Sequence, residues 1–513
     1  MGTIGRDVYR RKLERYLAHS LDEPIIALVS ALVAILGGDP GPLHIMPDLS
    51  PEAVGAELGS PYHIAPWTLE TLVNELLATP KAEGLGLGCT RVLRHDSFAV
   101  LRELAGTVIQ LENAEDGIFL EKHDVFYEMA RIAQRQFPWQ RGVANAPHLY
   151  RSMLLYGSGS AGAYFEDSTG ISVADFVKIG ACMSGGLTKS EYVNRRRDLS
   201  EIGIGPEARE AALARLAIGH VDARQRAAAM RAGGRHTAYS PSLLRDFPII
   251  AFGERGERLR APIPELIIYR YTSGLYLDVV RGGAAVWSDI GRRFERYAFE
   301  YLSAMMAPYV VEGEKSYGSK KAGYRTPDIL VSDATGVIAA VECKAKRMSF
   351  EARYADDPVA VAALGFDELA KGIFQLWRFF SHSRREITES THVSADCQGI
   401  VVTADSWLTM ARNQAKQVFD AAHALANQDG CIAAEDRCEI AFCQVEDVEY
   451  ALQHGTADSF LAACRRIASG EKKGFMLSVA HGADQIEARP YPFSDRISEM
   501  LPWMARDYEW GNK

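Results

Sequence analysis

The chain has 513 residues, a formal net charge of −9 and a pI of about 5.9. That length accommodates two or three domains with sizeable cores, and a composition of 47% hydrophobic and 24% charged residues without obvious repeats excludes a disordered or fibrous protein. The acidic balance disfavours bulk nucleic-acid binding, although a local basic groove suffices for an enzyme that acts on nucleic acid.

The eight cysteines (89, 182, 343, 397, 431, 438, 443 and 464) contain no CxxC pair. Scattered among apolar residues, they read as buried thiols of a cytoplasmic protein rather than disulfides or a metal site. The apolar run 25–36 is too short to span a bilayer, and Asp22 and Glu23 directly before it do not suit a signal peptide. It is expected to be a buried helix, with no membrane association.

In chain order, residues 1–240 read as a mostly helical targeting or regulatory region. Helical periods cover 7–36, then Gly37-Gly38-Asp39-Pro40-Gly41-Pro42 breaks them, and Ser50-Pro51-Glu52 has the form of a helix start. The GLGLG segment 84–88 lacks the lysine and Ser or Thr of a phosphate loop. Residues 98–231 continue mostly in helical period. Within them Gly157-Ser158-Gly159-Ser160-Ala161-Gly162 matches GxGxxG, but the preceding 149–156 does not read as a strand, which argues against a dinucleotide site. The periods 173–183 and 189–197, joined by Gly185-Gly186, form a candidate helix-turn-helix pair whose Arg195, Arg196 and Arg197 would contact nucleic-acid phosphates. A solvated helix face is the plainer reading of that run.

Residues 241–284, punctuated by Pro241, Pro248, Pro262 and Pro264, are expected to be a linker with a β-hairpin of 267–271 and 275–280 over Thr272-Ser273-Gly274. The domain change is placed near Arg281-Gly282-Gly283. Residues 285–455 then read as an α/β domain. Its predicted order is a helix over 287–306, a strand at 309–311, two strands at 329–331 and 337–341, a helix over 361–382, a strand at 399–403, a helix over 408–426 and a strand at 439–444. Residues 456–513 hold a helix near 457–468 and an aromatic-rich tail, 491–510, that the sequence does not assign.

The informative stretch is 324–346, YRTPDILVSDATGVIAAVECKAK. Two β-branched-rich runs around Asp-Ala-Thr-Gly read as an antiparallel hairpin. Pairing them brings Asp328, ahead of the first strand, close to Glu342 at the end of the second. Residues i and i+2 of a strand share a face, so Glu342 and Lys344 point the same way. Paired carboxylates suit a hard cation such as Mg²⁺ or Mn²⁺, and a nearby lysine can orient or deprotonate a nucleophile. An exposed hairpin with ordinary polar ends is the competing reading.

Pro327-Asp328 followed by Glu342-Cys343-Lys344 resembles the PD-(D/E)XK nuclease superfamily, over about a third of the chain. The resemblance implies a restriction-endonuclease-like fold, a mixed central sheet flanked by helices, with Asp328 and Glu342 binding the metal and Lys344 assisting attack on the scissile phosphate. Gly291-Arg292-Arg293-Phe294-Glu295 is similar to the GxxFE pattern of the superfamily's first helix. That makes Glu295 a third metal-binding candidate, with Glu300 its competitor. Gln375-Leu376-Trp377-Arg378-Phe379 is similar to a Gln-x-x-x-Tyr motif, Phe379 standing in place of tyrosine, and implies a catalytic or substrate-binding role for Gln375.

The expectation is therefore a multidomain Mg²⁺-dependent endonuclease, acting on DNA rather than RNA by analogy, in restriction or phage defence. The N-terminal region would select or gate the substrate, alone, as a homodimer or through a partner protein. The alternative is a catalytically silent nuclease fold used for nucleic-acid binding or assembly, against which the complete Asp/Glu/Lys set argues. A third reading, an enzyme of other chemistry built on GxGxxG, has the wrong surroundings.

Overall fold

The computed structural model describes residues 2–82, 93–121, 123, 125–234, 236–319, 322–388, 391–482 and 488–504. The GLGLG segment and Cys89 lie outside the described residues. A mostly helical N-terminal region is followed by an α/β region built on a mixed sheet.

Helices Gly2–Ala18, Asp22–Leu36, Pro66–Ala78, Phe98–Leu120 and Val125–Arg141 make up the first part of the N-terminal region. The apolar run is buried as expected: Ile25, Ile26, Leu28, Val29, Leu32 and Ile35 all face inward. Among the described residues no single helix is long and apolar enough to cross a membrane. Further helices follow at Ala146–Tyr156, Gly159–Thr169 and Val173–Lys189, and then a small four-stranded sheet in the order Val193–Asn194, Arg258–Arg260, Ile249–Phe252, Ala217–Gly219.

Two expectations fail here. Residues 267–280 form no hairpin but two helices, Glu265–Tyr271 and Leu275–Val279. Ile267, Tyr271, Leu275 and Val279 are all buried, and their spacing of four is helical rather than alternating. The stretch expected to be a linker thus contributes two strands and these helices to the packed interior. The helix-turn-helix pair is also absent. One helix, Val173–Lys189, runs straight through Gly185-Gly186, and Val193–Asn194 is an edge strand. A Cβ on Gly186 would lie 3.1 Å from Val193 Cγ2 and 3.3 Å from an Arg197 guanidinium nitrogen, so this glycine permits close packing rather than a turn.

The α/β region begins with α1 (Gly283–Met305). Five strands follow: β1 (Val310–Gly313), β2 (Ile329–Asp333), β3 (Gly336–Lys344), β4 (Val393–Thr403) and β5 (Ile440–Gln444). Their spatial order is β5-β4-β3-β2-β1, antiparallel across β1/β2 and β2/β3 and parallel across β3/β4 and β4/β5. The predicted hairpin is β2–β3, with Ile329 opposite Val341 and Leu330 opposite Ala340. Alternation along the strands feeds two cores. Ile329, Val331, Ala339 and Val341 pack with α1 and with α4 (Ala457–Ala468), while Leu330 and Ala340 pack under α2 (Ala363–Arg384) and α3 (Arg412–Asp429).

The first of these cores also takes in residues of the N-terminal region, from Ala146 onward. Charge ties the same seam. Buried Arg151 donates to Glu449 and, at 2.7 Å, to Glu446, and the Tyr297 hydroxyl of α1 donates to Glu449 as well. A buried carboxylate stripped of its partner is far costlier than an exposed one. Arg151→Ala is therefore expected to destabilise the folded chain by about 3–5 kcal/mol. Urea denaturation measures this, and Arg151→Ala and Glu449→Gln should be strongly non-additive.

Candidate functional site

The site forms at the end of the β2–β3 hairpin where β3 runs beneath α2. Asp328 sits immediately before β2, and its Oδ2 accepts the Cys343 backbone N–H at 2.7 Å. That bond locks the acid against β3 between Glu342 and Lys344. Glu342 and Lys344 share the face of β3 that lies under α2, and the Lys344 ammonium donates to Glu342 Oε1 at 3.1 Å and to Gln375 Oε1 of α2 at 3.2 Å. α2 can approach this closely because it carries Gly372 there: a Cβ would lie 3.0 Å from Lys344 Cε and 3.6 Å from Glu342 Cγ. Glu295 of α1 lies near enough for the charges of Asp328 and Lys344 to act on it.

Electrostatics bind the set together. Glu342 is 3% exposed. Burial raises its pKa; Lys344 opposes this, and Asp328 and Glu295 push it further up, to about 7. Burial and the negative charge of Asp328 likewise push Glu295 up to about 7. Asp328 is raised too, by burial, against the pull of the Cys343 N–H and Lys344. For Lys344, burial works against the charge, but Glu342 and Asp328 outweigh it and raise its pKa, so the side chain stays an ammonium. The intervening Cys343 thiol is buried and its pKa raised well above the ordinary value, chiefly by burial, so it is inert as a nucleophile.

The structure thus brings together Asp328, Glu342, Lys344 and Gln375, with Glu295 near enough to sense the charges of Asp328 and Lys344. Glu300, the competitor, is spent elsewhere, in ion pairs with Arg296 and Arg496. Phe379 is 1% exposed and serves the core beneath α2. Arg195, Arg196 and Arg197 lie beside the small four-stranded sheet, not on the sheet that carries the acids, and Arg195 is paired with Glu210 at 2.8 Å.

The GxGxxG segment follows a helix, not a strand. Its would-be anion site is filled by the protein's own carboxylate: Asp289 of α1 accepts from Ser160 N at 3.0 Å and from Arg293 at 2.9 Å. Gly159 adopts φ +57°, and a Cβ there would collide with Arg293 and Asp289. Two participants carry no motif. Gly372 looks like any helix-weakening glycine, and Glu314, just past β1, raises the pKa of both Asp328 and Glu295 from a position no spacing rule marks.

Among the described residues, no three His, Cys, Asp or Glu side chains gather closely enough to hold a metal ion by themselves. The carboxylates that could share in holding one are Asp328 and Glu342, each of which acts on the pKa environment of the cluster, with Glu295 near enough to raise the pKa of Glu342. Two carboxylates whose proton affinity is raised chiefly by burial would suit Mg²⁺ or Mn²⁺, which take oxygen donors and complete their shell with water and phosphate. Zinc, whose sites are built mainly on Cys sulfur and His nitrogen, is matched less well by a set of carboxylates alone.

No protein family, curated protein or solved structure matches this chain. Any functional reading rests on the residues themselves.

Two glutamates with pKa values near 7 instead of 4.5 make the native state bind protons that the unfolded chain releases. Where the native state holds more protons, stability falls as pH rises. Their contribution is fully present below pH 4.5 and lost as pH rises through about 7. Without divalent cations, Glu342→Gln should therefore gain Tm relative to wild type between pH 5 and pH 8, with the gain levelling off above about 7. A difference in Tm that is flat across that range would refute the assigned proton affinity.

Proposed function

We propose that the chain is a metal-dependent nuclease of the PD-(D/E)XK kind, with 285–455 as its restriction-endonuclease-like catalytic domain, acting on phosphodiester bonds. One observation supports this above the others: two carboxylates and a lysine ammonium converge at one end of a buried hairpin, at the positions of the Pro-Asp and Glu-x-Lys elements. A cluster whose acids repel one another at neutral pH is poorly explained as a structural device, since well-packed apolar residues would be at least as stable. It is well explained as a site awaiting positive charge.

Asp328 and Glu342 would hold a divalent cation, which supplies Lewis acidity toward a phosphate oxygen and its attacking water. The chain's own groups do the rest. Lys344 remains an ammonium, so its part is to donate hydrogen bonds to the scissile phosphate and neutralise charge as it builds, not to remove a proton. Gln375 fixes where that ammonium points. Glu295, with a pKa near 7, is poised to exchange a proton at neutral pH. Arg195, Arg196 and Arg197 are not part of this machinery.

Full-length chain incubated with DNA and Mg²⁺ or Mn²⁺ should cleave it, and EDTA should stop the reaction. Asp328→Ala and Lys344→Ala should each lower the rate about 100-fold or more while leaving the melting profile folded. Glu295→Ala should raise the Mg²⁺ concentration needed for half-maximal rate. Near-wild-type cleavage by either Asp328→Ala or Lys344→Ala overturns the assignment.

A further inference from the structure

We infer that a two-stranded ribbon beside the site, together with the adjoining face of α2, forms a docking track for duplex DNA. The inference rests on the nuclease reading and names the substrate class and the surface that receives it.

The ribbon pairs Ser316–Ser319 with Ala322–Arg325 in antiparallel register and belongs to neither larger sheet. It is inserted between β1 and β2, so its second strand ends three residues before Asp328. Its base is closed by Thr326 N–H donating to Lys315 O and Lys315 N–H donating to Thr326 Oγ1, each at 2.9 Å. Aromatic contacts prop it against α2: the Tyr317 hydroxyl and His382 Nδ1 hydrogen-bond at 2.9 Å, and the Tyr324 and His382 rings meet at 4.3 Å. Farther along the ribbon, Gly318 faces Gly323, so this part carries no side-chain bulk.

The face of α2 that continues from the ribbon carries cations on either side of the site. Lys371, Gln375 and Arg378 recur at spacings of four and three and so share one face. Lys371 lies about 6 Å and Arg378 about 4.5 Å from Gln375 along the helix axis. Arg378 lies over the rings of Tyr324 (5.9 Å) and Phe374 (5.4 Å), which hold it beside the ribbon. Neither Lys371 nor Arg378 is in an ion pair with any described residue. At the ribbon's base Lys315 and Arg325 pair with Glu312 and Glu314, but these pairs are exposed, contribute little, and can be exchanged for phosphate.

In a chain of net charge −9, cations left unpaired among the described residues and bracketing an acid pair favour a polyanion on this face. The ribbon chooses the form of that polyanion. A two-stranded ribbon fits the major groove of B-form DNA, whereas the major groove of A-form RNA is too deep and narrow to admit it. A single strand would offer no groove at all.

The test uses the full chain carrying Asp328→Ala, so that binding is read without cleavage, on a labelled duplex DNA and on single-stranded DNA and duplex RNA of the same sequence. Duplex DNA should bind tightest. Adding Lys371→Ala or Arg325→Ala should weaken duplex binding several-fold, and each should flatten the dependence of log K on log salt by about one. Arg378→Lys, which keeps the charge but loses the planar stacking, should weaken it less than Arg378→Ala. Preference for single-stranded DNA or duplex RNA, or unchanged salt slopes in Lys371→Ala and Arg325→Ala, overturns the track. If the wild-type chain cleaves DNA yet these slopes are unchanged, the track fails and the nuclease reading stands. If the variants lose duplex binding but the wild-type chain cleaves nothing with metal, the nuclease reading fails and the track stands.

Discussion

Holding like charges together out of water is the constraint around which the α/β region is arranged. Glu342 is enclosed, Asp328 lies beside it, and one ammonium, Lys344, answers both. Such a group costs stability unless every remaining polar atom is satisfied. The fold meets that demand with backbone and helix. The Cys343 N–H fixes Asp328, Gln375 takes the second hydrogen bond of Lys344, and Gly372 lets α2 come close enough for the amide to reach. Removing any of these would leave the ammonium or a carboxylate free to move, and the cluster would lose the geometry that makes it more than a patch of charge.

The part of this that sequence reveals is the part governed by local periodicity. The β2–β3 hairpin follows from two apolar runs around a Gly-ended turn, and the shared face of Glu342 and Lys344 from the two-residue period of a strand. The choice between Glu295 and Glu300 is different. Both lie on α1, and Glu300 is taken by Arg296, four residues before it, and by Arg496, 196 residues away in sequence. Gly372 and Glu314 were invisible for the same reason: their roles exist only once distant elements have packed. The misread hairpin at 267–280 has another cause. Its runs are β-branched and aromatic enough to suit strands, and only the spacing of four from Ile267 to Val279 shows the helical alternative that tertiary packing selects.

The GxGxxG segment shows how a motif can be met literally and used otherwise. Its backbone N–H at Ser160 does receive an anion, but the anion is Asp289 of α1. This carboxylate is also bound by Arg293, which donates to Ser158 at 2.9 Å. A glycine-lined helix start offers unsatisfied N–H groups to whatever negative charge is nearest. Here the nearest charge belongs to the same chain, and the result is a clamp between the N-terminal region and α1.

That clamp bears on the site because α1 carries both ends of the connection. Asp289 holds Gly159–Thr169, and Glu295, under two turns further on, faces the acid pair. A second connection leaves from β3 itself. Beyond Lys344 the chain is pinned by Arg347 donating to Ser273 O at 2.9 Å and by the Tyr354 ring stacked on Tyr239 at 5.3 Å. Its own side is held by Trp407 donating to Lys346 O at 3.0 Å. Glu295 thus lies six residues from the Asp289 contact with Ser160, and Lys344 three residues from the Arg347 contact with Ser273. The acid pair and the helical region are therefore joined at two places, through α1 and through the chain beyond Lys344, within one packed interior.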